Sequence, residues 1–313
     1  MTGRTPAVDR LLLILFLGAG ALCASYAGWR DLSDVAQGGT APSALPLGLL
    51  EGPARLWYVG LSALVVRSLA RERTEPGLPV RRPGPELALV GLYVFWLGLV
   101  FTSQVRRLDF SRFALGYPWL VMHVRQDVVG PLASWLGWEG WAVARLNTFA
   151  VHLVTQIALP LLVFLMLGYR PRELGLRLKG WWLALPLAIL AFLMRWLADG
   201  SPIPPARFLP AFLFNLGIGG LPEEFWARGL MQTRLERVLK GAWRGALVAA
   251  ALYGLMHAPA YVRAYGSDWP RVLAACLGRQ GLMGVAFGYL WLRTRSLAPG
   301  ALWRAFADAI GSG

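Results

Sequence analysis

The sequence predicts an all-α fold, a polytopic bundle of about eight or nine transmembrane helices. One observation behind this prediction is composition, because the 313 residues are 56% hydrophobic and only 15% charged. Soluble domains carry about 25% charged residues. A second observation is that the apolar residues gather in runs near the roughly 20 residues that a helix needs to cross a bilayer. We therefore expect a multi-pass integral membrane protein embedded in a lipid bilayer.

The apolar runs locate the predicted helices along the chain. The first run follows Arg4 and Arg10 and resembles a signal peptide, but the apolar runs after it favour an uncleaved first transmembrane helix. Glu51, Pro53 and Arg55 interrupt the second run, and the last run is short. The predicted helices cover residues 10–29, 45–68, 86–105, 147–168, 180–198, 207–233, 242–259, 272–292 and 297–311.

The segment between the third and fourth predicted helices, residues 106–146, is rich in tryptophan. It contains Trp119, Trp135, Trp138 and Trp141. Tryptophan at this density is typical of the boundary between lipid headgroups and the apolar core. We expect an interfacial or re-entrant segment here, and a further full span is the alternative.

The net charge of +14 is explained by the connections between the apolar runs. Arginine and lysine gather in residues 67–82, 170–179 and 234–244, whereas the connections 30–43 and 199–207 carry one arginine each. This alternation favours a cytoplasmic N-terminus. The positive charge lacks the interleaved aromatic residues of a strand-binding groove, so we expect contact with anionic lipid and no nucleic-acid partner.

Two adjacent acids, Glu223 and Glu224, lie within an otherwise apolar stretch. A carboxylate at membrane depth costs about 2.5–3.5 kcal/mol, and intramembrane acids are usually functional. Glu224 and Arg228 have the i, i+4 spacing of an ion pair on one helix face. Glu223 points about 100° away around the helix. We expect Arg228 to hold Glu224 and Glu223 to be the acid that meets water.

Further ionisable groups lie in the helices that follow. His257 ends the next predicted helix, and Arg304 and Asp308 lie in the last one. If the helices of Glu223 and His257 run in opposite directions, the two groups differ in depth by about 7 Å. Helix tilt absorbs that difference, so we expect Glu223 and His257 to share a water molecule.

These residues resemble the motifs of the CPBP family of intramembrane glutamic proteases, which includes type II CAAX prenyl endopeptidases and Abi-type immunity proteins. Glu223-Glu224-Phe-Trp-Ala-Arg228 resembles the family motif Glu-Glu-x-x-x-Arg, and Tyr253-Gly-Leu-Met-His257 resembles Phe-x-x-x-His. The third motif, His-x-x-x-Asn or Asp, corresponds to Arg304 and Asp308, with arginine in place of histidine. The resemblance covers roughly residues 175–311.

The resemblance implies an intramembrane endopeptidase. Glu223 would be the catalytic base that activates a water molecule with His257, and Glu224 and Arg228 would hold the geometry of the site. Arg304 and Asp308 would correspond to the oxyanion side. An arginine stabilises an oxyanion but cannot act as an acid–base group or a metal ligand.

The resemblance also implies partners and location. The substrate would be a membrane-anchored protein or peptide with a CAAX-like end, a leader or a C-terminal sorting tail, and no cofactor would be needed. The expected location is a bacterial inner membrane. Residues 1–174 would form an N-terminal transmembrane scaffold that contains the tryptophan-rich segment, and residues 175–313 the catalytic domain. No oligomeric state is predicted.

Non-catalytic functions are the main alternative, either a degenerate protease that acts as an immunity or chaperone-like factor or a small transporter. A transporter predicts helices broken at matching positions in two halves. The ionisable residues within apolar runs concentrate in one half of this chain, which argues against a transporter.

Other protease designs fit the sequence less well. No His-Glu-x-x-His occurs, which leaves a zinc protease unsupported. A metal held by Glu223, Glu224 and His257 is possible by ligand type but is less favoured than a metal-free site. Gly60-Leu-Ser62-Ala faintly resembles a rhomboid serine motif, with His152 as the only candidate base in a nearby helix.

Overall fold

The computed structural model describes residues 7–36, 51–70, 77–106, 117–199 and 205–311. Over these residues the chain forms helices joined by short connections, and no strand occurs among them. The predicted all-α fold is therefore confirmed. Apolar runs at helical length, rather than alternating patterns, explain why the backbone closes its hydrogen bonds within each helix.

Sixteen α-helices are present in the described residues. The first eight are α1 (Ala7–Ala36), α2 (Glu51–Leu69), α3 (Pro83–Arg106), α4 (Tyr117–His123), α5 (Gly130–Leu136), α6 (Trp141–Leu153), α7 (Leu159–Met166) and α8 (Ala184–Asp199). The others are α9 (Pro205–Asn215), α10 (Leu221–Glu224), α11 (Thr233–Val238), α12 (Ala242–Leu255), α13 (Ala258–Tyr265), α14 (Trp269–Ala275), α15 (Leu282–Thr294) and α16 (Ala298–Gly311). Wider π-helical segments join several of them: Val124–Val129, Val154–Ala158, Leu216–Gly220, Phe225–Gln232 and Cys276–Gly281.

Three helices in the described part of the chain are long and apolar enough to cross a membrane, Ala7–Asp34, Ala142–Met166 and Ala242–Tyr265. A shorter apolar helix covers Trp181–Met194. The other predicted segments are also helical where they are described, apart from end residues 180 and 297, while residues 45–50 of the second lie outside the described residues. The count of eight or nine crossings stays a prediction.

The surfaces of the long helices are suited to lipid. In the apolar parts of Ala7–Asp34 and Ala142–Met166, only 22% and 28% of the residues are buried. Large apolar side chains such as Leu22 and Leu162 are exposed. An exposed apolar surface of this kind indicates contact with a membrane or a partner, and its length favours the membrane.

The tryptophan-rich segment is helical where it is described. Residues 117–136 are helical, and Gly137, with φ of 64°, ends the helix in a left-handed conformation. The side chains of Trp119, Trp135 and Trp138 are exposed. The next helix begins at Trp141 rather than at residue 147, so the predicted start was too late. Residues 107–116 lie outside the described residues, and the interfacial placement stays a prediction.

The chain divides into two compact units. One comprises Met1–Gly91 and Leu230–Arg295, and the other comprises Leu92–Gly229 and Ser296–Gly313. Each unit combines two segments that are separated in sequence, and the predicted boundary at residue 174 stays a prediction. The assignment of scaffold and catalytic roles to residues on either side of that boundary stays a prediction.

Buried ion pairs join distant segments within the first unit. Arg279 Nη2 lies 2.6 Å from Asp31 Oδ2, and Arg279 Nε lies 2.6 Å from Glu51 Oε1. Arg271 Nη2 lies 2.6 Å from Asp31 Oδ1. All four side chains are buried, and a buried charge is tolerated when it is paired and hydrogen-bonded. The network connects α1 and α2 to α14 and to the π-helical segment that follows it.

In the second unit, α16 contacts α8, α9, the segment Leu216–Gly220 and α10. The approach is close because a methyl group placed at Gly220 would lie 2.5 Å from the carbonyl oxygen of Ala301. The predicted helix 207–233 extends to Pro205–Val238 and contains two π-helical segments. Pro222 has no N–H to donate to the preceding turn, which explains why the helix widens before it.

The predicted helix 242–259 differs from the observed one. In the first unit, α12 ends at Leu255 and α13 begins at Ala258 and continues to Tyr265. Pro259 lies in the first turn of α13, where its missing N–H costs no hydrogen bond. His257 therefore lies at the junction between two helices rather than near the end of one.

Candidate active site

Five of the six predicted site residues lie in the second unit. Glu223 and Glu224 belong to α10, Arg228 follows in the next turns, and Arg304 and Asp308 belong to α16. Since α10 and α16 are in contact, the folded chain brings together two motifs that are about eighty positions apart in sequence. The structure thus joins the Glu-Glu-x-x-x-Arg residues with those of the third motif.

Glu224 and Arg228 form the buried part of this cluster. Arg228 Nε lies 3.8 Å from Glu224 Oε1, and the two residues are 0% and 2% exposed. The ion pair predicted from their spacing is therefore present. Gly300 of α16 makes room for it, because a methyl group there would lie 2.6 Å from Glu224 Oε2. A glycine at this position lets α16 pass directly over the carboxylate.

Glu223, Arg304 and Asp308 form the more exposed part. Arg304 Nη2 lies 2.9 Å from Glu223 Oε2, and Arg304 Nε lies 3.4 Å from Asp308 Oδ2. The pairing of Glu223 with an arginine was not predicted from the sequence. The i, i+4 rule finds partners along one helix, whereas the partner of Glu223 comes from another helix.

Exposure rises across the cluster. The Arg304 side chain is 11% exposed, that of Glu223 20% and that of Asp308 45%. Gly219 borders the same three groups, since a methyl group there would lie 3.6–3.7 Å from an atom of each. A residue without a side chain at this position leaves the carboxylate of Glu223 approachable for a small molecule such as water.

His257 belongs to the first unit, as does Tyr253 of the same motif. His257 Nδ1 lies 2.9 Å from the carbonyl oxygen of Tyr253, and the two rings meet edge to face at 4.9 Å. Because a carbonyl only accepts, Nδ1 is the donor in this contact. That His257 shares a water molecule with Glu223 stays a prediction.

Two alternative sites can be compared with the structure. Among the described residues, no three histidine, cysteine or acidic side chains group as metal ligands usually do. Ser62 and His152, the residues of the rhomboid-like alternative, belong to different units. His152 instead interacts electrostatically with Glu223 in the second unit. Sequence reasoning missed this proximity, because nothing in the spacing of residues 152 and 223 indicates it.

The fold and this cluster define an α-helical integral membrane protein with ionisable groups held among apolar helices. Residues 205–310 match the family model described as type II CAAX prenyl endopeptidase Rce1-like. The resemblance drawn from the motifs is confirmed for this segment, which contains all six predicted site residues. No curated protein and no solved structure matches the chain.

Proposed function

We propose that the protein is an intramembrane endopeptidase that hydrolyses a peptide bond of a membrane-anchored protein or peptide. The observation that carries the proposal is the carboxylate of Glu223, partly exposed and 2.9 Å from the Arg304 guanidinium, inside the segment that matches the endopeptidase family. A carboxylate in this setting is suited to accept a proton from water. We propose a membrane-anchored substrate because a site within the membrane is accessible to polypeptides that are themselves held in the bilayer.

In the proposed reaction, Glu223 takes a proton from a water molecule while the water oxygen attacks the carbonyl carbon of the scissile bond. His257 helps to activate the water molecule in this proposal, because it is the histidine of the second family motif. Arg304 lies between the carboxylates of Glu223 and Asp308. Its guanidinium offers several N–H donors near the reacting water, and these stabilise the negative charge that develops on the carbonyl oxygen. The buried pair of Glu224 and Arg228 keeps the backbone and side chain of Glu223 in place.

The test is to restore a deletion strain with variants and to compare the termini of its membrane proteins. The wild-type gene should restore the termini that change on deletion, and Glu223→Gln should not, although the protein accumulates normally. Removal of a general base typically lowers the rate by about 100- to 10,000-fold. Glu139→Gln, a matched change at an exposed glutamate of the same unit, should restore the termini fully.

Restoration of the termini by Glu223→Gln would overturn the assignment of Glu223. If no terminus changes on deletion, a non-catalytic role as an immunity or chaperone-like factor is favoured instead. A non-catalytic role is compatible with the ion pair between Arg304 and Glu223, because Arg304 replaces the histidine of the third family motif.

A further inference from the structure

His152 belongs to α6, a helix that packs next to the glutamate cluster in the second unit. α6 contacts the segment Leu216–Gly220, and Val154–Ala158, which continues from α6, contacts α10. His152 is partly buried and interacts electrostatically with Glu223. No motif of the proposed protease includes this residue.

The register of the two segments explains the position of His152. The Arg145 guanidinium lies 4.9 Å from the centre of the Phe214 ring, and the Phe149 ring occupies the space beside Gly217 where a side chain would be. Residue numbers therefore rise in the same direction along α6 and along the stretch that contains Phe214 and Gly217, so the two helical segments run parallel. His152 follows Phe149 by three positions and lies on the same helix face, one turn nearer to α10.

The hydrogen bonding of His152 fixes which of its nitrogens is available for proton exchange. Nδ1 lies 2.8 Å from the carbonyl oxygen of Thr148. A carbonyl oxygen only accepts, so Nδ1 carries the proton and Nε2 is the basic nitrogen of the neutral ring. The hydrogen bond at one ring nitrogen thus sets which nitrogen of the imidazole can accept a proton.

We propose that His152 is a further residue of the site and that its Nε2 exchanges a proton with Glu223. This inference rests on the proposed function. The proton that Glu223 takes from water passes to Nε2, which yields an imidazolium and restores the carboxylate. His152 thereby supplies from α6 an imidazole that Arg304 cannot provide from α16, because a guanidinium stays protonated. Arg304 and Asp308 share the electrostatic surroundings of this exchange through their contacts with Glu223 and with each other.

The first experiment needs no substrate. The chain has three histidines, so ring-labelled histidine in the full-length protein in lipid nanodiscs gives three sets of NMR signals, assigned by single His→Gln variants. Glu223→Gln should move the ring signals of His152 and change their dependence on pH. The signals of His123, which packs against the Trp119 ring in the same unit, should stay unchanged. Unaltered His152 signals would overturn the proposal and leave the proposed protease function standing.

The second experiment measures cleavage of a substrate identified by the terminus comparison. His152→Gln should lower kcat by about 100-fold, which is the lower end of the usual effect of removing a proton-transfer group. KM should change little, and one limb of the pH–rate profile should be lost. Arg304→His in the His152→Gln background should recover part of kcat, because it returns an imidazole to the site. His123→Gln is the control and should leave kcat unchanged. An unaltered kcat and pH profile in His152→Gln would overturn the role of His152.

Discussion

Two arginines beside the glutamates act differently because their burial differs. Arg228 is fully buried with Glu224, whereas Arg304 lies with Glu223 where exposure begins. A fully buried pair is held in a low dielectric, so removal of either charge leaves the other uncompensated. A partly exposed pair can exchange partners with water. Under the proposed function, the inner pair of Glu224 and Arg228 has a structural role and the outer group of Glu223 and Arg304 takes part in the reaction.

The inner pair gives a prediction about stability. Arg228→Met should lower the free energy of unfolding by about 3–5 kcal/mol, because Glu224 keeps a buried carboxylate without its cation. Thermal unfolding in detergent measures the loss. The double variant Glu224→Gln with Arg228→Met should recover more than half of the lost stability, since neither residue then carries a buried charge without a partner. Equal losses in the single and double variants would show that the pair does not stabilise through charge.

The charge partners illustrate how far residue-level reasoning from sequence reaches. The pair Glu224 and Arg228 could be predicted because both residues lie on one helix at a fixed spacing. The ion pair of Glu223 with Arg304 could not, nor could the approach of α6 to this part of the chain, because both depend on how the helices pack. Contacts between helices need a register that a single sequence does not supply.

At the scale of the element, the glycines around α10 set how closely the helices approach. A methyl group at Gly220 would lie 2.5 Å from the Ala301 carbonyl oxygen, too close for α16 to stay in place. The approximate positions of the helices could be predicted from apolar runs, since helical length and composition are visible in the sequence, but some helix ends could not. The π-helical segments and the junction at His257 were not predicted, because they change hydrogen bonding without changing the apolar pattern.

A glycine substitution tests this close approach. Gly220→Ala should cost about 1–3 kcal/mol in unfolding free energy, the usual penalty for overpacking, and should lower cleavage because Arg304 moves with α16. Gly91→Ala is the matched control, since its new methyl group meets no atom within 4 Å, and it should be neutral or slightly stabilising. Thermal unfolding and the cleavage assay would be run on both variants. Equal stability of the two variants would contradict the role assigned to Gly220.

At the scale of the whole molecule, the segment that matches the endopeptidase family is divided between the two compact units. Residues 230–295 belong to a unit with the N-terminal helices, and residues 205–229 and 296–310 belong to the other unit. The predicted boundary at residue 174 follows the start of the family resemblance at about residue 175. A resemblance in sequence identifies which residues share motifs, whereas a compact unit is defined by which helices pack together in the folded chain.

The network around Arg279 gives the test of this dependence. Arg279 binds Asp31 of α1 and Glu51 of α2, so Arg279→Met would leave two carboxylates buried without that cation. Breaking such a network should lower the unfolding free energy by about 3–5 kcal/mol, measured by thermal unfolding and by the amount of protein in membranes.

Asp31→Asn should also destabilise, because Asp31 bridges Arg271 and Arg279. Asp127→Asn, at an exposed aspartate, is the control and should leave stability unchanged. Wild-type stability of Arg279→Met would mean that the N-terminal helices do not support the family-matched segment through these ion pairs.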